Sequence, residues 1–574
     1  MPITVLPFTQ DKKIDAASLY QMLPQVLQDL CRDNPHLLSY LQMVPTDEVG
    51  IPQYHAKPAR KLGDLKQPNI IYPTSDPANF VHIYADPDDE RHTYTSIEPA
   101  FGVNVDSLIH QIELRLLDFT DELQSVETDE EKEQAFMACI DQICTTNGNV
   151  RDKGNGLASK LSFGKKKNGN QKIKCTSHEL QAAKYLIVRD KIGSGIIHPI
   201  TRDPFVEDIS CSGLGHIFIE HKIFNSIKSS IKFDDMDDLD EFVLRLAERV
   251  KKPVTLTSPI ADSTLPDGSR INIVFGRDLT KRGSNFTIRK FSEIPLSVIE
   301  LIEFGGLDYR MAAYFSMTLG EGMSMFVSGE TASGKTTLLN ALTTFIPPNN
   351  KVISIEDTPE LQVPQKNWLQ EVVKTTKVES DDTVTMFDLL KACLRQRPNT
   401  IIVGEIRGPE GAIAFQAMQT GHPVLATFHA ASVQKLIQRL TGNPINVPKT
   451  YIDNLNIVVI MSAVKLPDGK TGRRTLSINE IVGYDASSDA FSFMEVFRWD
   501  PIQDAFEFVG YMNSYLLEQK IAPKRGIASH QTKRVYQELD RRAKVLEKLH
   551  KERGVTNFFE LLTVLAKAQQ QGLF

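Results

Sequence analysis

The stretch GETASGKTTLLN, Gly329 to Asn340, combines residue types that can handle a chain of phosphates. Gly329 and Gly334 frame a loop of the form GxxxxGK[ST], with Glu330, Thr331, Ala332 and Ser333 between them. Glycines let a backbone turn tightly, so that its N–H groups face an anion. At this spacing Lys335 reaches the β and γ phosphates and Thr336 holds Mg²⁺. Thr337 to Leu342 open a helix whose N-terminal amides add to the anion site. MSMFVS, just before Gly329, reads as a buried strand, which places the loop between a strand and a helix.

Three later apolar runs end in groups that can act on phosphate. KVISIEDTPE ends in Glu356 and Asp357, NTIIVGEIRG in Glu405 and Arg407, and HPVLATFHA in His429. In an open parallel sheet the strand ends share one edge, where ligands sit. Lys335, Glu356, Glu405 and His429 are therefore expected to converge. Carboxylates there can orient and polarise water for attack on the γ phosphate, or hold the water shell of a metal. Taken singly, Glu356 also fits a surface carboxylate and His429 a structural histidine.

These strands need a scaffold, and the chain is long enough for three or four domains: 574 residues, 41% hydrophobic. Residues 12–43 have helical spacing, followed by a Pro/Gly-bearing connector. NIIYP and FVHIYADP read as short strands, YTSIEPAF as an edge element, and 105–122 as a helix. Residues 151–174 are basic and Gly-rich, which fits a solvated linker or a patch for anionic lipid. HELQAAKYLIVRD reads as a helix, HIFIEH as a strand, 239–250 as an amphipathic helix, and SRINIVF and SNFTIRKF as strands. Together they form an α/β unit before the phosphate loop, joined to it by a short helix over 295–304.

Composition narrows the function classes. A formal net charge of -7 gives no general pull toward nucleic acid. The six cysteines include no CxxC pair, which argues against a four-cysteine zinc knuckle, and their sparseness suits a reducing cytoplasm. The first residues, MPITVLPFTQDKKI, lack the basic start and apolar core of a signal peptide. No apolar run reaches 18 residues, so a spanning helix is not expected.

These motifs resemble the type II/IV secretion ATPase superfamily, which drives type II secretion, type IV pili and the archaellum. GETASGKTT is similar to its Walker A loop and ISIEDTPEL to its acidic box. IIVGEIRG resembles its Walker B strand, and TGHPVLATFHA, with His422 and His429, its histidine box. Asn399 stands where that family more often has Asp. DPFVEDISCSG, LPDGSRINIVF and SNFTIRKF resemble the second N-terminal domain of archaeal members, and NIIYP, HIYADPDDER and YTSIEP their front region.

The resemblance implies an α/β fold with a RecA-like P-loop NTPase core over 305–515. A nucleotide-clamping α/β domain over 175–294 precedes it, and a helical region over 516–574 follows. An accessory α/β region over 69–150 and a helical segment over 1–68 form an N-terminal extension. It implies ATP and Mg²⁺ as ligands, with the magnesium on Thr336 and Glu405, and Glu356 as catalytic base. Arginines of the clamping domain neutralise phosphate charge, with Arg277 and Arg289 favoured over Arg282. It further implies a cytoplasmic hexamer on the inner face of the membrane, acting on an integral platform protein. Two other classes fit the loop: a ring that translocates nucleic acid, and a scaffold that binds ATP without turnover. The first would need a basic, aromatic-rich channel; the second fits poorly with intact Lys335, Thr336, Glu356 and Glu405.

Overall fold

The computed structural model describes residues 3–4, 14–146, 172–291, 295–373 and 384–574, apart from positions 77, 87, 88, 121, 122, 124, 125, 127, 468 and 573. The basic segment expected at 151–174 falls outside the described residues except for its last three positions. The chain divides into two compact units, Met1–Phe291 and Ser292–Phe574.

The first unit is built on one mixed sheet. From one edge its strands are Ile260–Thr264, Arg270–Val274, Asn285–Arg289, Val206–Cys211, Gly215–His221 and Asn225–Phe233. Thr93–Ile97 then pairs in parallel with Asn225–Phe233, and Phe80–Tyr84, Asn69–Pro73 and Gln53–Tyr54 complete the order. Side chains alternate across the sheet. Ile70, Tyr72, Val81, Ile83 and Tyr94 share a core with helix Met236–Arg249, while Ile71, Phe80 and Ile97 pack under the N-terminal helices. Burial on both faces explains why FVHIY and TYTSI lack the apolar–polar alternation of a half-exposed strand.

Two expectations change here. YTSIEPAF is not an edge element: Thr93–Ile97 lies inside the sheet, with all five residues buried. The single helix over 12–43 is instead three short ones, Ala16–Met22, Gln25–Asp33 and Pro35–Leu41. The cause is local, because Pro24 and Pro35 lack the N–H that a helix interior needs and each opens a new helix.

The second unit is a sheet covered on both faces. Its order is Trp368–Val372, Val352–Glu356, Thr400–Ile406, Val424–Phe428, Met325–Gly329 and Ile457–Lys465, all parallel. An antiparallel extension follows: Thr471–Asp485, Ala490–Asp500 and Ala505–Glu507. Met325 and Val327 face helices Tyr309–Gly320 and Arg534–Lys551. Phe326 faces the opposite layer, with helices Met386–Cys393, Glu410–Gln419 and Val433–Thr441. This is the α/β fold of a RecA-like P-loop core, with a further α/β unit before it.

Candidate active site

The central strand Met325–Gly329 runs into the glycine-framed loop, and helix Lys335–Leu342 leaves it. The loop accepts only certain residues. A Cβ on Gly329 would sit 2.2 Å from the Met461 carbonyl oxygen of the neighbouring strand, so only glycine fits. Gly334 caps the helix in the left-handed region, at φ +90°. Ala332 shares that region at φ +61° although it has a Cβ. Ser333 Oγ donates to the Glu330 carbonyl at 2.8 Å, and Lys335 Nζ donates to the same oxygen at 2.7 Å. The lysine is thus held at the mouth of the loop. Burial pushes its ammonium below the ordinary lysine range, and Glu405 draws it partly back.

Glu405 and His429 end adjacent strands and meet at that edge, with His429 Nε2 3.1 Å from Glu405 Oε1. Arg407 Nη2 donates to the other carboxylate oxygen at 2.6 Å. Burial raises the Glu405 carboxyl, but the Arg407 bond and the nearby His429 and Lys335 outweigh it and leave the group below its ordinary value. Glu405 is therefore ionised at neutral pH. His429 is held below its ordinary value, first by burial and then by Lys335, Arg407 and Arg439, against the pull of Glu405. The structure thus brings together Lys335, Glu405 and His429. Thr336 and Thr337 stand half-buried on the first turn of the helix. A hydroxyl on the phosphate-loop helix and an ionised carboxylate on the next strand but one are the hard oxygen donors Mg²⁺ takes, so these residues fit the ion.

Glu356 reaches the same edge in a different state. It is 1% exposed and its carboxylate is fully engaged. Oε2 accepts the N–H groups of Glu360 and Leu361 at 2.7 and 2.9 Å; Oε1 accepts Gln370 Nε2 at 3.0 Å and Ser354 Oγ at 3.2 Å. Its side chain lies where a Cβ on Gly404 would approach to 3.2 Å. These contacts make Glu356 the anchor of the loop after its strand. Burial raises its carboxyl above the ordinary carboxylate range, against the pull of those four donors, so Glu356 takes up a proton more readily than an exposed carboxylate.

The two histidines of TGHPVLATFHA part company. His422 precedes strand Val424–Phe428 and faces the opposite edge of the sheet, its Nδ1 3.0 Å from Thr420 Oγ1. Arg277 and Arg289 belong to the first unit. Arg277 is bound to Asp240 at 3.2 Å and to Asp237, and Arg289 stands at a strand end opposite Asp208. Arg473 was not apparent from the sequence. It lies on strand Thr471–Asp485, and its Nε donates to the Ala332 carbonyl at 3.1 Å, bracing the phosphate loop from the side. Only sheet order brings GRR beside GETASGK, so spacing along the chain gave no signal.

Known proteins bear on this site. The family described as Type II/IV secretion system protein matches residues 190–465. An uncharacterized protein of Methanocaldococcus jannaschii is 41% identical over 548 residues, covering 95% of this chain and 97% of that one. The type IV secretion system protein PtlH of Bordetella pertussis is 31% identical over 228 residues, covering 36% of this chain and 67% of that one. The VirB11 ATPase of the Brucella suis type IV secretion system, solved with sulphate, is 23% identical and covers 49% of this chain and 91% of that one. Its TM-score of 0.26 is too low to carry an argument. Identity across nearly the whole length of one relative and two thirds of another, together with the family match over residues 190–465, shows that this chain belongs to the type II/IV secretion system protein family.

Proposed function

We propose that the chain is a Mg²⁺-dependent ATPase motor. It works as a hexamer on the cytoplasmic face of the membrane. It drives an archaeal surface filament, archaellum or pilus, or type II-like secretion, through an integral platform protein. The observation that carries the reading is the meeting of Lys335, Glu405 and His429 beside a loop whose first glycine admits no side chain. Among the described residues no helix is long and apolar enough to cross a membrane, which fits a motor that needs a platform. Contact of the basic segment with anionic lipid belongs to the same proposal.

The chemistry follows from these groups. Backbone amides from Gly329 to Thr337 cradle the phosphates, and Lys335 leaves the Glu330 carbonyl for the γ phosphate. Thr336 and Glu405 would hold magnesium, which when bound supplies the positive charge that the phosphoryl group in transfer needs. His429 fixes Glu405 by donating to one of its oxygens. Glu356, held by the N–H groups of its own loop and raised by burial, takes the proton of the attacking water. Charge neutralisation by Arg277 and Arg289 completes the proposal.

Parallel ATP-binding and phosphate-release assays test it. Lys335→Ala is expected to lose both activities. Glu405→Gln and Glu356→Gln are expected to bind ATP and lose turnover by about 100-fold or more. Arg277→Ala and Arg289→Ala are expected to keep binding and lose about tenfold or more in rate. Full turnover in Lys335→Ala would refute the ATPase reading. A strict monomer by light scattering at micromolar protein, with a non-hydrolysable ATP analogue and Mg²⁺, would refute the ring.

A further inference from the structure

The second unit carries a cavity of about 320 Å³ at the edge of its sheet remote from the phosphate loop. Ser324, His422 and Asn456 line one side, each standing one or two residues before a parallel strand. The phosphate loop lies at the other end of strand Met325–Gly329, about 17 Å away at the rise of an extended chain. Lys520 and Lys524 line the cavity as well.

Lys520 sits on a π-helical segment, Leu516–Ile521. Such a segment widens the helix by one residue and re-aims what it carries, often at functional sites. The distortion is held by a buried carboxylate. Glu480 accepts the Leu516 N–H at 3.0 Å, Ser514 Oγ at 2.6 Å and the Tyr314 hydroxyl at 2.8 Å. The lysine so placed is half-buried, and no hydrogen bond or ion pair joins it to a described residue; it sits 5.8 Å from the Tyr515 ring. Lys524 is steadied by the Glu321 carbonyl at 2.9 Å. Asp453 is the one acid of the lining, and it is exposed.

We infer that this cavity binds a small phosphate-bearing anion, with Lys520 as its chief ligand and Lys524 and His422 beside it. Beyond its contact with the Tyr515 ring the Lys520 ammonium has its N–H donors free among the described residues, and an anion with several acceptor oxygens takes them in charge-assisted hydrogen bonds. Burial and the neighbouring Lys524 push the Lys520 ammonium below the ordinary range in the absence of such a ligand, against the pull of Asp453 and Glu480. Two lysines, an imidazole and two asparagine amides outnumber the acceptors of Asp453, which suits a phosphate better than a single carboxylate.

Calorimetric titration of inorganic phosphate and pyrophosphate into the full chain carrying Lys335→Ala tests this apart from the phosphate loop. One saturable site is expected. It should weaken at least tenfold when Lys520→Gln is added and persist when Lys520→Arg is added instead. Acetate at equal ionic strength should not bind. A parallel sedimentation with phosphatidic acid vesicles separates sources: Lys520-dependent binding to vesicles alone assigns the phosphate to a lipid headgroup. Circular dichroism melts confirm that the variants fold. The inference is overturned if neither phosphate nor vesicles bind, or if Lys520→Gln binds as tightly as its parent.

Discussion

The protonation of His429 links three residues of the site. Its imidazole is neutral at pH 7, because burial and the Lys335 charge outweigh the attraction of Glu405. Its NMR titration midpoint is expected below the ordinary 6.5. Lys335→Ala removes a repelling charge and should raise that midpoint, whereas Glu405→Gln removes an attracting one and should lower it. Shifts of the same sign in both variants would refute the arrangement. Ala332 is a second test at this scale. At φ +61° a residue with a Cβ is already strained, and Ala332→Val adds branching where the backbone least tolerates it. A loss of about 1–2 kcal/mol in thermal stability is expected, with weaker nucleotide binding.

At the scale of elements, strand ends are joined by buried carboxylates. Glu356 ties its loop to strand Trp368–Val372 through Gln370, and Gly404 on the other side leaves it room. Gly404→Ala is expected to displace Glu356 and cut ATP turnover, with a stability loss of about 1–3 kcal/mol in denaturant melts. Unchanged turnover and stability would show that the packing is slack. In the first unit Asp203 is fully buried and accepts the hydroxyls of Tyr72 and Tyr94, at 2.7 and 3.0 Å, and the Phe205 N–H at 2.8 Å. It thereby joins strands 69–97 to the segment that opens strand Val206–Cys211. Asp203→Ala leaves two buried hydroxyls and a half-buried N–H without that acceptor and should cost about 3 kcal/mol or more. A melt within 0.5 kcal/mol of the parent, a small change by the usual measure of surface substitutions, would contradict it.

For the whole molecule the two units should part company in acid. The first unit buries four histidines that are neutral when folded. Burial lowers His36 and His221 to about 4, and His82 and His198 to about 3. The unfolded chain takes up these protons near the ordinary 6.5. Between those values the unfolded state binds more protons, so stability rises with pH and is lost on acidification. The slope is about 1.4 kcal/mol per pH unit for each histidine. Both tryptophans, Trp368 and Trp499, belong to the second unit. Between pH 6 and 4.5, far-ultraviolet dichroism should therefore fall before tryptophan emission changes. Coincident transitions would refute independent acid lability of the first unit.

Local chemistry made much of this legible in the sequence. GxxxxGK[ST] after an apolar strand carries its own geometry, because the glycines, the lysine and the helix start are contiguous. The strands that follow it announce a doubly covered parallel sheet by unbroken apolar runs. The meeting of Lys335, Glu405 and His429 needed only the rule that parallel strand ends share an edge. Folding decided what depends on neighbours far along the chain. How Glu356 is held, and that burial raises its carboxyl, rests on Gln370 and on backbone N–H groups of its own loop, and no motif records such packing. Arg473 comes to the phosphate loop, and Thr93–Ile97 to the sheet interior, through strand order. His422 and His429 face opposite edges because five strand residues separate them, and Lys520 faces its cavity because one extra residue widens a helix turn.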